Sequence, residues 1–179
     1  MTPPTTVGAT RKKLLINARY FLAPLLILAS MFGVMTGGPW VWTGLVLLGV
    51  GIIIDTLTKA QTPGAGFDEN GDTYGIPALH NGVMYGMLGV FALLQVTLAW
   101  RIWQYMNGVP IGTTEILGMT VQDGITGTQL IGATISTGIF AGIGIIYGHE
   151  LAHTKGFSFA IARWMMALSG KAHFCYCLL

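Results

Sequence analysis

Apolar stretches separated by polar breaks run along this chain, and they predict four membrane-spanning helices. The predicted spans cover, at about these positions, residues 20–36, 40–54, 83–103 and 129–147. The first two are short for a bilayer, which needs ~17–25 residues, and Gly37-Gly38-Pro39 lies between them. A tight helical hairpin is therefore predicted at that point. Residues 55–80 and 106–127 are predicted loops, and the second is rich in glycine and threonine.

The composition supports an integral membrane protein and excludes an ordinary soluble domain. Charged residues make up 9% of the chain, against roughly 25% in typical soluble domains, and apolar residues make up 53%. The formal net charge is only +2 and the sequence has no basic stripe with interleaved aromatic residues, so no nucleic-acid partner is predicted. The predicted fold class is an all-α integral membrane protein of about four transmembrane helices with a short cytoplasmic C-terminal tail.

Basic residues before the first span give the predicted orientation. Four of them lie between positions 11 and 19, and the positive-inside rule places this N-terminal tail, residues 1–19, in the cytoplasm. A transmembrane bundle over residues 20–148 then returns the chain to the same side. Residues 149–179 are therefore predicted to be cytoplasmic. The loop at 106–127, which contains no lysine or arginine, agrees with this orientation.

Two further patterns concern helix ends and helix contacts. The third predicted span ends in residues typical of an interfacial girdle, namely Trp100, Arg101, Trp103 and Tyr105. The fourth contains two pairs of glycines four residues apart, a spacing that lets helices approach closely: Gly138 with Gly142, and Gly144 with Gly148.

The candidate chemistry lies at the end of the fourth span, in Gly148-His149-Glu150-Leu151-Ala152-His153. On a helix, the four-residue spacing places both imidazoles on one face, one turn apart. Neutral imidazoles suit zinc, copper and iron, so His149 and His153 are predicted metal ligands. The pattern also matches that of zinc proteases, in which Glu150 would be the catalytic residue and a third ligand would come from His173, Cys175 or Cys177. A purely structural histidine pair in a non-catalytic membrane protein is the remaining alternative.

Three stretches resemble one known family. His149-Glu150-Leu151-Ala152-His153 resembles the first histidine box of the alkane and xylene monooxygenase branch of the membrane fatty acid desaturase/hydroxylase superfamily. The first hairpin of that branch is similar to Tyr20-x-x-x-Pro24, Gly37-Gly38-Pro39-Trp40-Val41-Trp42-x-Gly44 and Asp55. Gly170-Lys171-Ala172-His173-Phe174 resembles the stretch that leads into the family's second box. The resemblance extends over nearly the whole chain.

The resemblance implies a non-haem diiron enzyme that uses O₂ to hydroxylate the C–H bonds of lipid-soluble hydrocarbons, alkanes or alkyl-aromatics. His149 and His153 match family metal ligands, whereas His173 and Asp55 are expected either to hydrogen-bond to the ligands or to bind the metal weakly. Electrons would come from rubredoxin or an iron–sulfur flavoprotein reductase. The expected location is the bacterial inner membrane, with the histidine box in the cytoplasm. A fatty acyl desaturase of the same superfamily is a related alternative.

The family's second and third histidine boxes have no counterpart in the sequence. We therefore expect an N-terminal part of a longer hydroxylase, inactive as residues 1–179 alone, and further boxes encoded downstream. The resemblance also implies an apolar substrate channel, for which the candidate lining residues are Trp42, Met84, Phe91 and Phe140.

Overall fold

The computed structural model describes residues 16–58 and 75–170. Five α-helices lie wholly within these residues: α1 (Leu22–Thr36), α2 (Thr43–Leu57), α3 (Pro77–Met106), α4 (Gly127–Ala152) and α5 (Phe157–Leu168). Short 3₁₀ turns precede α1 and α2, at Arg19–Phe21 and Gly38–Trp42. Between α3 and α4 lie two antiparallel strands, β1 (Thr113–Ile116) and β2 (Met119–Gln122).

Four helical segments are long and apolar enough to cross a membrane: Ile16–Thr36, Gly38–Leu57, Pro77–Met106 and Gly127–Ala152. The predicted all-α membrane fold with four spans is confirmed. The third span begins at Pro77 rather than near Val83, because proline at the first helical position has no N–H to lose. The fourth continues to Ala152, so His149 lies in the helix and His153 directly follows it.

The bundle has two ends, which we name by what they carry. The hairpin end holds β1, β2, the end of α3 and the start of α4, where Thr126 and Gln129 form a capping box. The histidine end holds the C-terminus of α4 and the starts of α3 and α5.

The largest buried cluster runs through the middle of the bundle, where α1, α3, α4 and α5 meet. Three residues predicted to line a substrate channel, Met84, Phe91 and Phe140, are part of this cluster and between 1% and 6% exposed. Within the described residues they pack against one another and their neighbours in this cluster. Trp42, the fourth candidate, is partly buried and packs against Val34, Val41 and their neighbours near the hairpin end.

α2 is held to α4 by a backbone contact that leaves no room for a side chain. A Cβ atom on Gly44 would lie 2.6 Å from Ser136 Cβ and 2.7 Å from Ser136 Cα. The hydroxyl of Ser136 donates a hydrogen bond of 2.6 Å to the Val41 carbonyl, which fixes α4 against the start of α2. Because Ser136 Cα belongs to the backbone, rotation of a side chain does not relieve the clash.

Gly44→Ala is therefore expected to destabilise the protein by about 1–3 kcal/mol, the usual cost of overpacking. The matched control is Gly49→Ala on the same helix, because a Cβ there meets nothing within 4 Å. The difference is measured by thermal unfolding in detergent micelles, with the folded fraction that remains after heating read by size-exclusion chromatography. Equal midpoints for the two variants would contradict the close approach of α2 and α4.

Arg101 corrects one sequence prediction, since it is not a member of an interfacial girdle. Its side chain is 0% exposed, whereas Trp103 and Tyr105 near it are 57% and 47% exposed. Nε donates to the Val34 carbonyl at 2.9 Å and Nη2 donates to the Met35 carbonyl. These carbonyls belong to the last turn of α1, where a helix has no partners of its own for them.

The same guanidinium also holds the strand hairpin. Nη1 donates to the Gln104 side-chain oxygen at 2.7 Å and to the Gln122 carbonyl, at the end of β2, at 2.9 Å. Gln122 continues the network, because its amide donates to the Gln129 side-chain oxygen at 2.8 Å. One arginine thus joins α1, α3 and β2, and Gln122 extends the connection to α4.

The hairpin itself was not predicted, because the 106–127 region was assigned as a loop. Its strands pair from Thr113 with Gln122 to Ile116 with Met119, which leaves a two-residue turn. Leu117 and Gly118 fill that turn with φ values of 52° and 77°. Two positive φ values in succession are typical of the type I′ turn, whose twist matches that of paired strands.

Candidate metal centre

His149 and His153 project from the end of α4 at the histidine end of the bundle. His149 lies in the last turn, and His153 is the C-cap residue. Both side chains are exposed, while Leu151 between them is 4% exposed and anchors the turn in the core. The helix stops there because Thr154 turns back on it, donating its hydroxyl to the Leu151 carbonyl at 2.6 Å.

The two imidazoles face each other through their Nε2 atoms, which are 3.1 Å apart. The ring centroids are 4.6 Å apart and the planes are nearly perpendicular, at 89°. Two nitrogens at 3.1 Å, each about 2.05 Å from a shared ion, subtend about 98° at that ion. This angle lies between the octahedral and tetrahedral values. The pair therefore has the geometry of two adjacent ligands to a single transition-metal ion.

α5, which was not predicted from the sequence, packs against the part of α4 that carries the pair. The chain reverses at Gly156, whose φ of 73° favours glycine, and α5 then packs back along α4. A Cβ on Gly148, next to His149, would lie 2.9 Å from Met166 Cγ on α5. The start of α5 is tied to α3, since the hydroxyls of Tyr85 and Ser158 are 2.7 Å apart. The last turn of α4 therefore packs against α5, and α5 is in turn hydrogen-bonded to α3.

The other predicted site residues do not complete this pair within the described residues. Glu150 is exposed on the outer turn of α4, and consecutive helix positions point about 100° apart. Asp55 is exposed in the last turn of α2. Residues 16–58 and 75–170 contain no group of three or more His, Cys, Asp or Glu side chains able to hold a metal ion. His173, Cys175 and Cys177 lie outside the described residues.

A further histidine, which sequence reasoning did not single out, lies in the same part of the bundle. His80, near the start of α3, packs against Tyr20 with ring centroids 4.8 Å apart. Close by, the Ile76 amide donates to the Asn17 side-chain oxygen at 2.9 Å. No spacing in the sequence signals this contact, because the partners lie on different spans. Because His80 lies outside the pair, it serves as a control histidine.

Comparison of the chain with protein-family models, curated proteins and solved structures finds no match.

Proposed function

We propose that this chain belongs to a membrane-bound, non-haem diiron monooxygenase that hydroxylates the C–H bonds of lipid-soluble hydrocarbons. One observation carries the proposal: the Nε2 atoms of His149 and His153 face each other, 3.1 Å apart, at the end of a helix long and apolar enough to cross a membrane. An apolar bundle behind the pair suits substrates that dissolve in lipid. The motif resemblance supplies the reaction class.

The described residues fit two nitrogen ligands of one ion, and they do not make up a complete diiron centre. Further ligands would come from outside residues 16–58 and 75–170, with His173 the first candidate. When bound, iron would supply the chemistry that activates O₂. The chain's own part is to hold two imidazoles in register through the buried Leu151 and through the contact of α5 with Gly148.

The orientation follows the basic residues near the N-terminus, which favour a cytoplasmic histidine end. An external donor, rubredoxin or an iron–sulfur flavoprotein reductase, would then deliver electrons from the cytoplasm. Hydrocarbons would reach the site through the bilayer. The location that we propose, the bacterial inner membrane, follows from the motif resemblance.

The test is ¹⁸O₂ incorporation by membranes from the source organism. Octane and p-xylene are supplied, and labelled alcohols are measured by mass spectrometry. Chromosomal His149→Ala and His153→Ala are each expected to reduce labelled alcohol to about 1% or less of the wild-type amount, since loss of a mere outer-shell partner already costs 10–100-fold. His80→Ala, the matched histidine control, is expected to retain the activity.

Metal analysis of the purified protein separates the alternatives. Iron in wild type that is lost in both pair variants supports the oxygenase. Stoichiometric zinc without iron would overturn it in favour of the protease that the H-E-x-x-H pattern also matches. Full hydroxylation by the His149→Ala and His153→Ala strains would equally contradict the proposal.

A further inference from the structure

A cleft with both polar and apolar lining residues opens between α3, α4 and the C-terminal end of α5, away from the histidine pair. Its volume is about 510 Å³, within the range of small-molecule sites. Thr137 lies twelve positions before His149 on α4, so the cleft is about 18 Å along the helix axis from the pair. The cleft therefore lies within the membrane-spanning part of the bundle. Its lining includes Gln95, Thr134, Thr137 and Ser169 beside apolar residues such as Leu98 and Ala141.

Thr137 lines the cleft, and its hydroxyl is buried in the cleft wall. Its side chain is 2% exposed, and its hydroxyl has no hydrogen-bond partner among residues 16–58 and 75–170. A buried hydroxyl without a partner costs free energy, more so within a membrane. Thr134, one turn away in the same cleft, differs in this respect because its hydroxyl donates to the Leu130 carbonyl at 2.8 Å.

Gln95 adds a second polar group. Its amide nitrogen donates to the Leu168 carbonyl at 2.8 Å, which ties the end of α5 to the middle of α3. Among the described residues this is the one hydrogen bond that the structure gives the Gln95 side chain, so its amide oxygen is available as an acceptor. Polar side chains at this depth are costly and typically mark function.

We propose that this cleft binds the hydroxyl group of an uncharged, lipid-soluble alcohol. A hydroxyl both donates and accepts, so it can bond to the Gln95 oxygen and, when the Thr137 side chain turns from the cleft wall toward the ligand, to the Thr137 hydroxyl. A ketone only accepts and an alkane does neither. The described lining residues carry no charge, which disfavours an ionised headgroup. The proposal goes beyond the hydroxylase function and does not rest on it, because the cleft shares no residue with the histidine pair.

The experiment is photolabelling of the metal-free protein in nanodiscs with a diazirine derivative of 1-decanol. Label is expected on residues 134–141 and 167–170, competed by 1-decanol at least tenfold better than by 2-decanone or decane. A diacylglycerol competitor distinguishes a small free alcohol from a membrane lipid that carries the same hydroxyl. We expect decanol to be the better competitor.

Thr137→Val and Thr134→Val form a matched pair, since both remove a hydroxyl from the same face of the same cleft. Thr137→Val is expected to reduce specific labelling about tenfold, and Thr134→Val to leave it within twofold of wild type. Equal effects of the two variants, or labelling that decane competes as well as decanol does, would overturn the proposal. Labelling competed best by diacylglycerol would overturn the small-alcohol assignment. None of these outcomes tests the proposed metal-binding role of the histidine pair, so the two proposals can fail separately.

Discussion

Arg101→Met is expected to detach the hairpin end from the bundle and to cost at least about 3–5 kcal/mol, comparable with breaking a buried ionic contact. The substitution removes every donor that satisfies the Val34 and Met35 carbonyls and the Gln122 carbonyl. These groups lie where α1, α3 and β2 meet and are buried or partly buried, so water replaces the lost donors only in part. Methionine roughly preserves the volume, and the loss is therefore one of hydrogen bonds rather than of packing.

The measurements are thermal unfolding in micelles and limited proteolysis between β1 and β2. We expect a lowered midpoint and rapid cleavage near Leu117 in Arg101→Met. Arg101→Lys should rescue little, because a lysine ammonium cannot spread its donors over several separate carbonyls as the planar guanidinium does. Arg19→Met removes an exposed arginine and is the control for loss of charge. A wild-type midpoint for Arg101→Met would show that the network is dispensable.

Arg101 also shows where the sequence stops being informative. The four spans were predictable because each depends on its own run of apolar residues, a local property. An arginine between tryptophans at the end of a span has the composition of an interfacial girdle. Its actual partners are backbone carbonyls 66 and 67 residues away, which carry no sequence signal. Only the packing of α1 against α3 brings them together.

α5 was missed for a different reason. Its 12 residues are too few to cross a membrane, and its helical pattern follows directly on a polar turn. Its apolar face is defined by what it covers on α4, where Met166 lies against Gly148, while Ser169 just after α5 lies against Gly144. The two glycine pairs of α4 looked alike in the sequence, yet Cβ atoms at Gly138 and Gly142 would meet nothing within 4 Å. The spacing permits a close approach, and the neighbouring helix decides which pair makes one.

The histidine pair, by contrast, was predictable from spacing alone, because i and i+4 positions share a helix face. What spacing did not give is the direction of the rings, whose Nε2 atoms face each other at 3.1 Å with the ring planes nearly perpendicular. Glu150 shares the motif but not the face, and the structure brings neither it nor Asp55 into a group of three metal-ligating side chains within the described residues.

The second large effect follows from this arrangement: either His149→Ala or His153→Ala alone should reduce affinity for a single Co²⁺ ion by about 100-fold or more. Because two nitrogens 3.1 Å apart act as one chelate, removing the second histidine after the first should cost little further. Glu150→Gln is expected to leave the affinity unchanged. Titration of the purified chain in nanodiscs, followed by the visible absorption of Co²⁺, measures all four variants.

The most stringent control keeps the amino-acid composition of the chain and moves only the second imidazole ring. In the double variant His153→Thr with Thr154→His, the second imidazole moves by one position, from the C-cap of α4 to the residue after it. It therefore leaves the four-residue spacing that places both rings on one helix face. Cobalt affinity should fall as far as in His153→Ala, although both histidines are still present. Wild-type affinity in the shifted variant would mean that the ion binds elsewhere and that the 3.1 Å pair is only a structural contact. Loss of binding in the shifted variant together with retention in Glu150→Gln would place the ion between the two rings.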